Sequence, residues 1–408
     1  MRVLISGASV AGPALAYWLT RYGFDVTVVE RAPALRKAGG HAVDLFRPAM
    51  DIAERMGVLD RIHAMKTGTQ RLTVYTEGHD RPVEVELRKV MAGVSDRHAE
   101  IMRDDLSEIF HDATRDDAEY VFDDSITAIS GDGEVTFERG PARRFDLVVG
   151  ADGLHSNVRR LVFGPESGFS AWIGAYLAVA SVPNFLGLDA RVEGLTGVGR
   201  MTAMYGAAHL PDARALFMFR PARPLDYHYR DVPRQKELLR EHFAGFGWHA
   251  PRLLAELDAT PAFYFDSVTQ LRLDSWSRGR VTLVGDAGYC PGPAVGGSTS
   301  LAVVGAYVLA GELAAAGGDP VRAFPAYEAE LGAYVRRSRA FAVSAAGKLV
   351  PGSGAALWAL RGAMGLVGRL PAGLTRAVSK LGARGVRLHD EIVLKDYAAH
   401  EVRTATRP

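Results

Sequence analysis

Cysteine is almost absent: Cys290 stands alone among 408 residues. That excludes an internal disulfide and a cysteine-ligated zinc cluster, and it fits a reducing compartment. Neither sign of charge dominates, with 48 Lys and Arg against 47 Asp and Glu. Nothing global therefore selects a nucleic acid or an acidic partner, and charge-driven binding has to be local. No stretch reaches the roughly 18 uninterrupted apolar residues of a spanning helix, and "MRVLISGAS" lacks the apolar run and cleavage site of an export signal. The expectation is a cytoplasmic chain without stable membrane association. GxxxxGK[ST], HExxH and CxxC are all missing, and "GGSTS" does not complete a nucleophile elbow. P-loop hydrolysis, zincin chemistry and a serine triad lack their parts, no metal is expected, and cofactor-borne redox chemistry remains.

What is present begins at the N-terminus. A strand over Arg2–Gly7 passes through "GASVAG" (Gly7–Gly12) into a helical stretch, Pro13–Gly23, and a second strand, Asp25–Arg31. Strand, glycine turn, helix and strand within about thirty residues form the unit that seats a dinucleotide on a helix N-terminus. Gly7 permits the tight turn and Gly12 the close contact between helix and strand, while Ser9 stands where a middle glycine is usual. Glu30 closes the second strand where an acid takes adenosine ribose hydroxyls. Two further apolar strands each deliver an aspartate to a glycine turn: "LVVGADG" with Asp152-Gly153, and "VTLVGDAG" with Gly285-Asp286. Each aspartate has two readings, a ligand at the carboxyl edge of a sheet or a cap on the following helix.

Together, "GASVAG" with Glu30, "GADG" and "VGDAG" resemble, in order and spacing, the single-component FAD-dependent aromatic hydroxylases of the p-hydroxybenzoate hydroxylase fold, among them tetracycline-modifying and polyketide-tailoring monooxygenases. The resemblance covers roughly residues 1–340. It implies an α/β fold: a Rossmann-like FAD-binding domain (1–70, 97–168 and 271–340), an inserted antiparallel-sheet substrate domain (71–96 and 169–270), and a C-terminal helical cap (341–408).

The resemblance also implies a cofactor site made of Gly7, Ser9, Val10, Ala11, Gly12, Glu30, Arg31, Arg103, Asp152, Gly153, Gly285, Asp286, Pro293, Gly296, Gly297 and Ser298. In it Arg103 and Asp286 reach the ribityl region, and the amides after Pro293 face the flavin N1–O2 edge. A helix N-terminus suits the negative charge there on physical grounds alone. No second βαβ glycine unit exists, so NADPH or NADH would use a shared groove, with Arg47 and Arg159 as phosphate candidates. The usual motif continues into a histidine and adjacent prolines; here Tyr289 and "PGP" stand instead, marking a place to seek this chain's own substrate or cofactor preference.

Alternation over "MTAMYGAAHL" and "ARALFMFRP" predicts a hairpin in the substrate sheet. Tyr176, Met204, Tyr205, Phe217, Phe219 and Pro293 are its candidate apolar lining, and Arg200 and His209 its candidate substrate-orienting groups. The implied activity is NAD(P)H- and O2-dependent hydroxylation of an aromatic or enolic, polyketide-like small molecule through a flavin C4a-hydroperoxide. No residue is assigned as a catalytic acid or base. Baeyer–Villiger oxygenation and a non-oxygenating flavin reductase or flavin-binding protein are the alternatives, and the chain is expected as a monomer or dimer. The stretch Gly347–Arg387 carries Lys348, Arg361, Arg369, Arg376, Lys380, Arg384 and Arg387 without an acid, read as a solvated helical cap rather than a membrane-surface helix pair.

Overall fold

The computed structural model describes residues 1–35, 40–91, 95, 97–293, 297–370 and 388–401. Two main sheets organise them. The first has six strands in the spatial order Ser277–Arg278, Val281–Leu283, Leu147–Gly150, Arg2–Ser6, Asp25–Glu30, Glu119–Phe122, all parallel except the outermost pair at the Ser277 edge. "VLI", "LVV" and "VTL" are buried throughout, as strands covered on both faces must be. Helix Ala11–Arg21 packs against Ser298–Ala315, an almost wholly buried helix apolar enough to cross a membrane by composition but placed here inside the core.

From strand Arg2–Ser6 the chain leaves to one side toward Asp25–Glu30 and is joined on the other by Leu147–Gly150. The carboxyl ends of Arg2–Ser6 and Leu147–Gly150 therefore flank a switch in strand order, where open α/β sheets bind ligands. Gly7 and Ala151 touch across it: a Cβ on Gly7 (φ 111°) would lie 2.6 Å from the Ala151 carbonyl oxygen.

The second sheet has seven strands, in the order Phe263–Leu271, Ser170–Val182, Ala213–Phe219, Arg200–Gly206, Arg191–Gly197, Arg71–Thr76, His79–Glu86. All neighbours are antiparallel except Arg191–Gly197 with Arg71–Thr76. One face carries Tyr176, Met204, Phe217 and Phe219 under the helices Val232–Phe243 and Ala250–Ala255. The opposite face carries Leu177, Val179 and Met218, with Tyr264 beside them. Part of it meets residues 40–42 at the start of strand Ala42–Leu45, since Tyr205 Oη accepts from Ala42 N (3.0 Å) and Arg214 Nε donates to Gly40 O (3.1 Å).

Helix Pro320–Leu349 ties the two sheets, its Tyr327 bonding Leu283 O (3.0 Å) and its far end leading to Val350 beneath the second sheet. At 30 residues it is about 45 Å long. The C-terminal part is not one helical cap. Helix Gly354–Arg369 lies on the edge strand His79–Glu86, where Arg361 donates to Arg81 O. Residues 388–401 instead form turns and a single 3-10 turn against Ser298–Ala315, where Lys395 and Tyr397 both bond Glu312. Arg376, Lys380, Arg384 and Arg387 lie outside the described residues.

Candidate active site

The first glycine turn has the shape its sequence implies. Gly7 N donates to Val29 O (2.8 Å), and a Cβ on Gly12 would lie 1.9 Å from Gly7 O, so neither position admits a side chain. Val10 begins helix Ala11–Arg21 without a side-chain cap or an acid in the first turn. Pro13 gives no amide, which leaves those of Ala11 and Gly12 for an anion. Glu30 accepts from Ala8 N and Ala32 N (both 2.9 Å), one bond to each oxygen, so its remaining lone pairs stay available to ribose hydroxyls. Arg31 is exposed.

Arg103 heads helix Arg103–Asp112 and folds back onto the turn, its Nη2 and Nε donating to Ser9 Oγ at 3.0 and 3.3 Å. Ser9 thus works as an acceptor that aims a guanidinium, which glycine could not do. Arg103 also acts electrostatically on Asp286, His41 and Tyr264. Asp286 opens the short helix Asp286–Tyr289 after Gly285 (φ 65°). Burial raises its carboxyl pKa, while Arg103 and a hydrogen bond from the Cys290 thiol oppose the shift. Burial likewise pushes the Cys290 thiol well up, beside the Asp286 charge.

His41 and Tyr264, rings 5.5 Å apart, lie just before strand Ala42–Leu45 and on the edge strand Phe263–Leu271 of the second sheet. Both are half-buried. Burial, reinforced by Arg103, lowers His41 to about 4. Burial raises the Tyr264 phenol well above its ordinary value. Neither residue lies in a recognisable motif; only chain topology brings 41, 103, 264 and 286 together.

Asp152 sits at the carboxyl edge, but its carboxylate is engaged. It accepts from Ser156 Oγ, from Asn157 N (2.9 Å) and from Val158 N (3.1 Å), capping helix Asn157–Val162. Burial raises its pKa, with these bonds opposing. The capping reading is the one the geometry displays. Gly153 follows with φ 80° and open space around it. Arg159 is 1% exposed and bonds Ala287 O, Leu154 O and Glu166, so it is no surface phosphate ligand. Arg47 is exposed at the start of its helix.

At the third motif Pro293 is half-buried and Gly296 lies outside the described residues. Gly297 (φ 86°) and Ser298 begin the 18-residue helix Ser298–Ala315, again without a side-chain cap or an acid in the first turn. Against Gly297 lies His389: a Cβ there would be 2.3 Å from the imidazole Nε2. The ring is 1% exposed, stacks on Phe46 and holds Tyr334 Oη at 2.7 Å through Nδ1, while Nε2 is buried with no hydrogen-bond partner. An orphaned polar nitrogen at an uncapped helix start fits a site built for a polar group such as the flavin ring edge. Burial lowers His389 to about 4. In sequence it is followed by Asp390 and Glu391 in no recognisable motif, so nothing local marks this position.

Tyr289 is not a substrate or cofactor contact. It is fully buried, packs on Trp276 (4.5 Å between centroids), shares a 3.0 Å hydroxyl hydrogen bond with Tyr327 and fills the notch at Gly305. A histidine in the usual motif would leave this core position short of volume. The proposed lining also needs correcting. Tyr176, Met204, Phe217 and Phe219 are 0–2% exposed on the far face of the second sheet, inside the core beneath its covering helices. Arg200 shares that face, donating to His242 O and Ala244 O and stacking on Phe246. The period of two explains the set: one parity faces the helices and the other faces away from them, so an assignment on the wrong parity misplaces every member. Tyr205, of the other parity, does face away from the helices and meets Ala42. His209 pairs with Asp105 at 3.1 Å.

Residues 1–342 match the FAD binding domain family. A Mycobacterium tuberculosis protein described as uncharacterised is 47% identical over 341 residues, covering 83% of this chain and 91% of its own length. The flavin-dependent monooxygenase of Legionella longbeachae is 38% identical over 346 residues, covering 84% and 88%. The crystal structure of tetracycline destructase Tet(55) superposes with a TM-score of 0.81 at 35% identity over 97% of this chain and 98% of that one. Three strand-end motifs at one strand-order switch, an orphaned imidazole at an uncapped helix start and these relatives agree: the chain belongs to the FAD binding domain family and is an FAD-dependent monooxygenase.

Proposed function

We propose that the enzyme uses NADPH or NADH and O2 to hydroxylate an aromatic or enolic, polycyclic small molecule. The observation that carries this reading is the junction of His41, Tyr264, Arg103 and Asp286, where an aromatic floor and four polar groups meet. FAD, when bound, supplies electron transfer from the reduced nicotinamide and activation of oxygen. Around it the protein holds, orients and excludes water.

The Ala11 and Gly12 amides would hold the pyrophosphate, Glu30 the adenosine ribose, and Arg103 and Asp286 the ribityl chain. Gly297, Ser298 and His389 would face the pyrimidine edge of the ring, where unpaired amides stabilise negative charge. At ordinary pH His41 is neutral, so one ring nitrogen donates and the other accepts. It can accept a hydrogen bond from a phenol or enol hydroxyl and so orient the substrate, but a ring held this far below neutrality does not take the proton. Tyr264, held protonated, offers that same substrate oxygen a hydrogen bond and an aromatic face. Leu177, Val179 and Met218 are 1–3% exposed and pack with Val350, which closes that face of the sheet to water.

The test is a screen of phenolic and enolic polycycles for stimulated NADPH oxidation, followed by product mass and carbon connectivity. Gain of one oxygen as a hydroxyl on an sp2 carbon supports the reading. A ring-expanded ester assigns Baeyer–Villiger chemistry instead, and coenzyme oxidation that no candidate stimulates overturns it.

A further inference from the structure

On the outer side of the Pro291–Pro293 turn, a cleft of about 320 Å³ opens between the end of strand Phe263–Leu271 and the middle of helix Pro320–Leu349. Arg272, Arg336 and Arg339 line it, with Leu273, Ala340 and Val343 as an apolar wall and Asp274 at the rim. Gln270 joins the cleft to the turn, its Nε2 donating both to Pro291 O (3.0 Å) and to Arg339 O (2.7 Å), while its Oε1 accepts from Arg272 (3.1 Å).

Charge here is unbalanced. Among the described residues none of the three guanidiniums forms an ion pair; Arg272 and Arg336 are exposed, and Arg339 is partly buried, where most other arginines of its burial are ion-paired. Arg339 goes further: its Nε and Nη2 are buried and donate to nothing. Burial and the adjacent Arg272 charge both work against its protonated form. Arg159, the other deeply buried arginine, also leaves its Nε without a partner, but two carbonyls and the Glu166 carboxylate surround its guanidinium. An anion in the cleft would offset the two facing positive charges of Arg272 and Arg339. Guanidinium forks match the paired oxygens of a phosphate, and the cleft's volume admits a phosphate ester with part of its sugar.

We propose that this cleft binds a phosphate monoester dianion, and that its occupant is the adenosine 2′-phosphate of NADPH. The second clause rests on the coenzyme use proposed above. The dinucleotide turn is not open to it, since the FAD adenosine would occupy that turn and Glu30. Specificity for NADPH over NADH then resides in Arg272, Arg336 and Arg339, on a different element from the FAD turn.

The experiment is calorimetry on the flavin-loaded full chain with 2′,5′-ADP, 5′-AMP and inorganic phosphate, followed by coenzyme kinetics. Expected are binding of 2′,5′-ADP at least tenfold tighter than of 5′-AMP or inorganic phosphate, and at least tenfold weakening by Arg339→Gln and by the exposed Arg272→Gln. In both variants KM for NADPH rises by a similar factor while kcat and the KM for NADH hold. Equal affinity for 2′,5′-ADP and 5′-AMP, or variants that bind like the wild type, overturns the proposal. Binding of inorganic phosphate as tight as that of 2′,5′-ADP also overturns it, because the site would then select a free ion. FAD content is read separately by absorbance, so loss of flavin chemistry is distinguishable from failure of the cleft.

Discussion

Replacing His155 should cost stability in a pH-dependent way. This ring joins the two parts of the molecule: Nδ1 meets Glu166 at 3.1 Å, and Nε2 meets Asp266 of the second sheet at 3.1 Å. Tyr229 stacks on the imidazole at 4.1 Å, and Arg159 holds the other side of Glu166 at 2.6 Å. Burial by itself would lower the imidazole pKa, but hydrogen bonds to Asp266 and Glu166, with their charges, raise it from 6.5 to about 10. A folded pKa above the unfolded one means the folded state holds the proton more tightly. The stabilisation is therefore complete below about pH 6.5 and drains away as pH climbs toward 10. A shift of about 3.5 units at about 1.4 kcal/mol each is about 5 kcal/mol, and solvent around a ring one-quarter exposed trims it to about 2–4 kcal/mol.

His155→Gln removes that term and leaves Asp266, whose side chain is only 7% exposed, without its cation. Urea unfolding of the flavin-loaded protein, followed by tryptophan fluorescence, should show the variant about 2–4 kcal/mol less stable near pH 6. The gap should narrow steadily through about pH 8 and close near pH 10. Asp266→Asn in the same background should restore part of the loss, because an amide has no charge to strand. A gap of constant size from about pH 6 to about pH 10, or one that widens with pH, refutes the reasoning.

Four other outcomes follow from the same geometry. Gly12→Ala puts a Cβ 1.9 Å from Gly7 O, so the purified protein should lose most of its yellow colour, read as the ratio of flavin to protein absorbance. Arg103→Met removes a guanidinium that Ser9 aims, and flavin affinity, titrated by fluorescence quenching, should fall about 10- to 100-fold. Tyr289→Phe deletes the hydroxyl bond to Tyr327 and should cost about 1 kcal/mol in urea unfolding while kcat and KM stay put. Phe217→Ala should cost about 3–5 kcal/mol in the same assay and leave substrate KM unchanged, since the ring packs against Phe243 away from the site.

What could be read in the sequence was local chemistry. The Gly7–Gly12 turn and Glu30 are legible because a close backbone approach demands glycine and because strand, turn and helix are contiguous. Asp152 was ambiguous for a physical reason: an acid at a strand end suits helix amides as well as a ligand, and only the positions of Asn157 N and Val158 N separate the two. The hairpin Arg200–Gly206 with Ala213–Phe219 was legible as alternation, yet its inward face was not. Both faces are apolar, one under helices through Phe217 and Phe219 and one away from them through Leu216 and Met218, so composition cannot choose between them. His41, Tyr264 and His389 had no local signal at all, because their meeting depends on contacts hundreds of residues apart.

The two places where the chain leaves its family's motif turn out to do opposite things. Ser9 stands where the family has glycine and gains a role there, accepting from Arg103 and so fixing a cation beside the first glycine turn. Tyr289 replaces a histidine only a few residues from the ring edge, yet it turns inward to Trp276, Tyr327 and Gly305. The Tyr289 change therefore alters the core that supports helix Ser298–Ala315, not the surface that meets a ligand. Any influence of Tyr289 on chemistry has to pass through the position of that helix's first turn, where Gly297 and His389 meet. A substitution there should shift flavin binding and stability together, whereas one at Ser9 should shift flavin binding alone.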